Sequence, residues 1–296
     1  MTRLKTIVVV GGSYVDSTSI VRGIVTVILP QRVVLASGES IPYEYLIMAT
    51  GTGTPPLDLG TKVGGVASTM ALQERLKQAD NIVVIGGGAF GIQLAMDTKE
   101  LYPSKNVTLM HSRHQLMNRF DPLLHLIVAK RAAALGVNLV LGQRVKMPAG
   151  GFPMTGPSYH VELADGGLIP ADVAVACIGA VPLSAPLLSL SSSSVDPVSK
   201  FILVKPTLQI VDPAFPNVFG IGDVAATGRN KAAAPRYHQA ALAAHNIVNP
   251  ISGSSERAEY VPTVPGIHLA IGLSRPGISP RSILQMRAPG VTDYYL

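Results

Sequence analysis

The segment Ile85-Gly86-Gly87-Gly88-Ala89-Phe90-Gly91 constrains this chain more than any other. It follows the apolar run Asn81 to Ile85, which reads as a buried strand, and it opens a stretch spaced as a helix of about twelve residues. Gly86, Gly88 and Gly91 satisfy G-x-G-x-x-G. A strand, this glycine turn and a helix, in that order, begin a dinucleotide-binding unit. The first glycine permits the tight turn, the second lets backbone approach a pyrophosphate, and the third lets helix and strand pack. The helix N-terminus then faces the negative charge. A glycine turn with a purely structural role is the alternative, and the setting favours dinucleotide binding.

The next strand, Val107 to Met110, runs into His111-Ser112-Arg113-His114. A unit that prefers NAD ends this strand with Asp or Glu, which accepts from the ribose 2′-hydroxyl. No carboxylate stands here. Ser112 and Arg113 suit a 2′-phosphate instead, so NADPH is expected to bind better than NADH. A solvated basic loop is the competing explanation.

A second glycine turn lies near the start. The strand-like run Thr6 to Val10 ends in Gly11-Gly12-Ser13-Tyr14-Val15-Asp16. A regular fingerprint needs small residues where Ser13 and Asp16 stand. Asp16 puts a carboxylate where a pyrophosphate would lie and a Cβ where helix and strand would pack. A complete unit also needs a helix, a second strand and an acidic ribose anchor about 20 residues on. Ser17-Thr18-Ser19 instead leads within a few residues to the strand Ile24 to Leu29, which leaves no room for that helix.

Elsewhere Arg32 to Leu35 and Tyr45 to Ala49 read as strands, the latter closed by the loop Thr50 to Pro56. Asp121-Pro122 starts a helix that Gly136 stops, and Val137 to Leu141 is a further strand. Tyr159 to Leu163 and Ile169 to Cys177 flank Ala164-Asp165-Gly166-Gly167 as in a hairpin. Leu187 to Ser194 reads as a loop. Phe201 to Val204 and Leu208 to Val211 read as short strands. Val218 to Ile221 leads into Gly222-Asp223, and an Ala-rich helix spans Pro235 to Val248. Residues 256–296 carry no readable period. Strands alternating with helices imply an α/β fold. Its two glycine turns imply two Rossmann-like dinucleotide-binding domains, the first truncated and discontinuous.

Composition narrows the partners. At 296 residues, with 47% hydrophobic and 14% charged, the chain has enough apolar material for two domain cores. No apolar run reaches the roughly 20 residues of a transmembrane helix, and the N-terminus lacks the features of a signal peptide. An intracellular, cytoplasmic protein is expected, with peripheral membrane contact left open by the positive mean hydropathy. Cys177 is the only cysteine, which excludes an intramolecular disulfide and a cysteine-rich metal site. It lies in an apolar run and reads as a small core residue. The net charge of +6 suits anionic partners, but the basic residues are scattered, which argues against nucleic acid. Oligomeric state is not legible.

Taken in order, several segments resemble the apoptosis-inducing-factor-2-like or ferroptosis-suppressor family of FAD-dependent pyridine nucleotide oxidoreductases, especially its fungal members. They are Val8 to Val15, Ser40 to Thr54, the Gly86 to Gly91 turn, Leu109 to Arg113 and Phe219-Gly220-Ile221-Gly222-Asp223. The resemblance implies hydride transfer from NADPH or NADH to FAD, then electron transfer to a quinone or another small-molecule electron acceptor. It implies a truncated FAD domain over residues 1–76 and 205–255, an NAD(P)H domain over 77–204 and a C-terminal segment over 256–296. Gly11, Gly12, Ser13, Thr50, Gly51, Gly222 and Asp223 would then serve the flavin, with Asp223 accepting from the ribityl chain. A plain turn residue is the alternative for Asp223. Gly86, Gly88, Gly91, Gln93, His111, Ser112, Arg113 and Gly179 would serve the nicotinamide cofactor. His238-Gln239-Ala240 would pack beside the isoalloxazine.

Three departures from the family stand out. Judged against a family member's usual extent, a block on the order of eighty residues is missing between Val15 and Val21. Gln93 replaces the usual Glu, and the tail from Ile278-Ser279-Pro280-Arg281 does not continue the family pattern. No acid, base or nucleophile is identified, since the histidines are dispersed. A repurposed nucleotide- or small-molecule-binding protein that no longer holds FAD is the alternative function.

Overall fold

A computed structural model describes residues 5–11, 20–53, 61–228, 233–262, 266–273 and 283–287. The chain divides into two units. One comprises Met1–Gly53 and Val181–Pro265, the other Thr54–Ala180 and Gly266–Leu296.

The second unit is built on a four-stranded parallel sheet. Its order is Val173–Ala176, Asn81–Ile85, Asn106–His111, Asn138–Leu141. These strands are near-continuous apolar runs because both sheet faces are covered. On one face Ile82, Val84, Leu109 and Val175 pack with Ile92, Met96, Leu124 and Val128. These come from the helices Ala89–Leu101 and Pro122–Leu135. On the other, Val83, Ile85, Met110 and Ala174 meet Val161, Leu163 and Ala171. That layer belongs to the antiparallel hairpin Tyr159–Glu162 with Leu168–Ala171.

Local chemistry sets the boundaries. Asp121 accepts from Leu123 N–H at 2.9 Å and Pro122 follows at the first helical position, while Gly136 ends the helix at φ +80°. The apolar stretch Ile169 to Cys177 is two strands rather than one, and Asp172 divides it. Its Oδ2 accepts from Asp80 and Asn81 N–H at 2.9 and 2.8 Å. The chain therefore leaves the hairpin at Asp172 and joins the parallel sheet at Val173.

Two further elements carry no signal in the reading above. The helix Lys62–Gln78 is capped by Thr61, which accepts from Gly64 N–H, yet buries only Leu72 and Leu76. At its other end Lys105 Nζ donates to the carbonyls of Lys77 and Ala79. The strand Gly266–Ala270 pairs antiparallel with Ile283–Arg287. It delivers Leu269 and Ile271 to the main core of the sheet unit. A clamp holds this segment: Arg131 Nε donates to Ile271 O at 3.0 Å, and Arg131 meets the Glu100 carboxylate at 3.1 Å. Glu100 in turn accepts from Leu273 N–H at 2.8 Å.

In the first unit Ile7–Val10, Tyr45–Met48 and Val218–Gly220 form a parallel sheet in that order. One face packs on the helix Ala233–Ile251 through Ile47, Phe219, Ala243 and Ile247. The other buries Leu46, Met48 and Val218 with Ile28, Val33 and Tyr43. Those partners come largely from the antiparallel strands Val25–Leu29, Arg32–Leu35 and Ser40–Pro42. Among the described residues Ile7–Val10 is an edge strand. Residues 201–211 are less regular than expected: only Ile202–Leu203 is a strand, and Leu208 turns at φ +66°. No helix among the described residues is long and apolar enough to cross a membrane, and no cluster of His, Cys, Asp or Glu among them could hold a metal ion.

Candidate dinucleotide sites

In both units the parallel strands end level, so the residues just beyond them gather at one edge of the sheet. In the sheet unit Ile85 pairs with Met110 and with Ala176, which brings Gly86, His111 and Cys177 side by side. Successive strands cross to opposite sides of Asn81–Ile85. Such a reversal of strand order leaves a crevice at the carboxyl ends, where ligands of open α/β sheets bind.

Each glycine of the turn has its own reason. Gly86 sits at φ +126°, and a Cβ there would land on the Cys177 carbonyl. A Cβ on Gly91 would run into the Gly86 carbonyl oxygen and lie 3.2 Å from the Cys177 Cβ. Gly88 differs: it caps the helix Ala89–Leu101 with no side-chain hydrogen bond, and nothing lies within 4 Å of where its Cβ would be. The helix N-terminus therefore opens on free space lined by backbone N–H groups, which suits a pyrophosphate. Gly179 lies exposed at φ +133° with equally open surroundings.

Ser112 and Arg113 are both exposed just past the second strand. His111 is not simply a third such residue. Its Nδ1 accepts from Gly87 N–H at 3.1 Å, and a Cβ on Gly87 would lie 2.7 Å from the ring. The imidazole thus braces the glycine turn from below, and its Nε2 is buried without a partner among the described residues. Burial, then the nearby Arg113 charge, lowers its proton affinity. Gln93 lies half-buried on the helix after the turn.

Cys177 fills the space under Gly91, and burial pushes its thiol up to about 12. A thiol, not a thiolate, is present at physiological pH, and the thiol is the unreactive form. Iodoacetamide at pH 8 is therefore expected to leave Cys177 unmodified in the folded protein and to alkylate it in denaturant. Mass spectrometry of both samples checks this, and rapid native labelling would contradict the burial.

In the first unit Gly11 sits at φ +87°, and a Cβ there would lie 2.6 Å from Ala49 O. Backbone of the first strand's turn thereby touches the Ala49-Thr50 step. Thr50 Oγ1 donates to Leu183 O at 2.7 Å, and Leu183 N–H returns to Gly51 O at 3.0 Å. The third strand leads into a short turn, Gly222–Val224, that carries half-buried Asp223. Gln239 does not stay at the surface as its neighbour His238 does. It is 3% exposed, and its Oε1 accepts from Gly222 N–H at 2.7 Å. Gly11, Thr50, Gly51, Gly222 and Asp223 thus share one sheet end. Gly12, Ser13 and Asp16 and the tail from Ile278 to Arg281 lie outside the described residues. Neither the His111 brace nor the Gln239 contact has a motif that reveals it, because both depend on backbone N–H groups meeting distant side chains.

The pyridine nucleotide-disulphide oxidoreductase family matches residues 9–246. Fe-regulated protein 8 of Mycosarcoma maydis is 36% identical over 250 residues, covering 79% of this chain and 60% of that protein. Ferroptosis suppressor protein 1 of Xenopus laevis is 29% identical over 259 residues, covering 82% of this chain and 66% of that protein. The chain thus spans 60% and 66% of the lengths of these two relatives. Among solved structures, a water-forming NADH oxidase from Lactobacillus brevis bound to NADH superposes with a TM-score of 0.61 at 22% identity. That match covers 84% of this chain and 58% of the oxidase. A ferredoxin reductase from Rhodopseudomonas palustris gives 0.61 at 20% identity, covering 84% of this chain and 61% of the reductase. These structural likenesses establish the mixed α/β fold with parallel sheets. With the family match running through most of its length, this chain belongs to the pyridine nucleotide-disulphide oxidoreductase family.

Proposed function

We propose that the chain is an NAD(P)H oxidoreductase that uses FAD to pass electrons to a small acceptor of the quinone type. The open helix N-terminus at Gly88 carries this reading. It is a cradle that any Cβ would narrow, built where a pyrophosphate needs backbone N–H groups. In the unit containing it, Gly86, Gly88, Gly91 and Gly179 would hold the dinucleotide backbone. Ser112 and Arg113 would take a 2′-phosphate, so NADPH binds better than NADH. In the other unit Gly11, Thr50, Gly51, Gly222 and Asp223 would take the flavin nucleotide. FAD, when bound, supplies the redox chemistry. The protein's part is to hold and orient, and none of these side chains is assigned a proton-transfer step. The names of a Flammulina velutipes relative, FAD-dependent oxidoreductase FVFD30, and of ferroptosis suppressor protein 1 support the reading.

A second reading, nucleotide binding without flavin, is favoured by one observation. Ile7–Val10 stands at the edge of its sheet among the described residues. No described strand beside it offers an acidic anchor for the adenosine half of FAD. An absorption spectrum separates the two. After incubation with FAD and desalting, the first predicts visible flavin bands that bleach on anaerobic addition of NADPH, and more slowly with NADH. A colourless protein that still binds NADPH establishes the second.

A further inference from the structure

The turn that closes the glycine fingerprint depends on a histidine at the position where an NAD-binding unit carries a carboxylate. The carboxylate at the end of such a second strand is an acceptor, and it takes a hydrogen bond from the ribose 2′-hydroxyl. His111 occupies that place at the end of Asn106–His111. Its Nδ1 is already used, because it accepts from Gly87 N–H at 3.1 Å. A ring nitrogen that accepts carries no hydrogen, so the neutral imidazole has its proton on Nε2. That Nε2 is buried and has no partner among the described residues. A buried donor left unpaired is costly, and such a group commonly waits for a ligand or a water.

The surroundings supply donors as well. Ser112 and Arg113 follow directly and are exposed, as is Arg119 later in the same loop. Neither guanidinium makes an ion pair among the described residues. Residues 111–120 contain no Asp or Glu. The loop is anchored rather than free: Met117 N–H donates to Gly87 O at 2.9 Å, Gln143 N–H to His111 O at 3.2 Å, and Gly142 N–H to Arg113 O at 3.0 Å. The row of donors is therefore presented by backbone tied both to the glycine turn and to the end of the neighbouring strand.

We propose that His111 determines the ligand preference of this site as a hydrogen-bond donor. With Nδ1 committed to the turn, its Nε2–H serves an anionic acceptor, the phosphate at the 2′ position of an adenosine. This deepens the NADPH reading above and rests on it. The ring has two roles, bracing Gly87 through one nitrogen and selecting the ligand through the other. They are separable because only Nδ1 is engaged by the turn and Nε2 has no partner among the described residues.

The test needs neither flavin nor turnover. Purified full-length protein is titrated calorimetrically with adenosine 2′,5′-bisphosphate and with 5′-ADP. The wild type is expected to prefer the 2′-phosphate ligand by at least about tenfold, the factor that corresponds to one strong hydrogen bond. His111→Asn places an amide oxygen near Nδ1 and keeps the brace, but it has no donor at Nε2. Its preference falls about tenfold, Ser112 and Arg113 being unchanged, while affinity for 5′-ADP holds. His111→Glu restores an acceptor and weakens the 2′-phosphate ligand further. A merely structural histidine predicts equal losses for both ligands, so an unchanged ratio in His111→Asn overturns the assignment. A wild type without preference overturns the 2′-phosphate reading itself, and this proposal with it. Long-range proton–nitrogen NMR of labelled histidines in the wild type is independent of whether variants fold. It should show His111 as the neutral Nε2–H tautomer, and an Nδ1–H tautomer or an imidazolium at pH 7 overturns the proposal.

Discussion

Gly88→Ala leaves the fold standing and weakens dinucleotide binding, whereas Gly91→Ala damages both. The two glycines lie three residues apart in one turn, but their surroundings are opposite. At Gly88 a methyl group meets nothing within 4 Å, and the backbone at φ −88° suits alanine. The only cost to the fold is a poorer helix cap, about 0.5–1 kcal/mol. The methyl does, however, occupy the space in which a pyrophosphate would meet the helix N-terminus. NADPH affinity is expected to fall about a hundredfold, corresponding to roughly 2.7 kcal/mol. At Gly91 the methyl collides with the Gly86 carbonyl, which is backbone and cannot rotate away. Overpacking of that kind costs about 3 kcal/mol, which lowers the melting temperature by roughly 6–12 °C in a domain of this class. Thermal melts and NADPH titrations on the two variants check both halves. Equal melting losses, or retained binding in Gly88→Ala, would count against the assignment of the cradle.

Arg131→Met releases the segment 266–273 from the sheet unit. The guanidinium joins the Ile271 carbonyl to the Glu100 carboxylate, and about a fifth of each side chain is exposed (19% and 20%). Discounted for that solvent access, the loss is about 1–3 kcal/mol. Opening of the segment becomes roughly five- to 150-fold more frequent. Hydrogen exchange at the Leu273 amide, which donates to Glu100, reads it directly. Glu100→Gln keeps an acceptor for that amide and should lose less. Gly272→Ala should lose more, because Gly272 sits at φ +114° and a Cβ would strike the Glu100 carboxylate. Unchanged exchange in Arg131→Met would mean that Leu269 and Ile271 hold the segment by burial alone.

What was legible in the sequence follows from how local each signal is. The Gly86 to Gly91 turn was readable because Gly86 and Gly91 each answer a nearby backbone carbonyl, while Gly88 keeps the helix N-terminus open. The helix Pro122–Leu135 was readable because Asp121 and Gly136 cap it with their own chemistry. The helix Lys62–Gln78 escaped because its only buried residues are Leu72 and Leu76, while its first half is mostly Gly, Ala, Ser and Thr. An apolar run also hides a change of partner. Nothing between Ile169 and Cys177 except Asp172 marks the passage from hairpin to parallel sheet, and that aspartate's partners are Asp80, Asn81 and Ser158. Gly266–Ala270 is a short strand whose pairing partner begins at Ile283, beyond the reach of any periodicity. In the candidate sites the glycines and the absence of a carboxylate after Met110 were legible. The division of labour between the two nitrogens of His111 was not, since it rests on the approach of Gly87 from a different strand.

The interleaving of the two units fixes an order of events on the ribosome. Strands Ile7–Val10 and Tyr45–Met48 are synthesised first, but their third partner is Val218–Gly220. Ile28 likewise waits for Ser189, 161 positions later, to satisfy its N–H. Meanwhile Asn81–Ile85, Asn106–His111, Asn138–Leu141 and Val173–Ala176 emerge as one continuous run and pair without help from the rest. The unit that starts first therefore matures after the one inserted into it. Tyr45–Met48 keeps one open edge through the emergence of the whole parallel sheet, and long-range pairing of this kind is slow and exposed to aggregation. A nascent chain stalled before Val218 is consequently the species that a chaperone would need to hold.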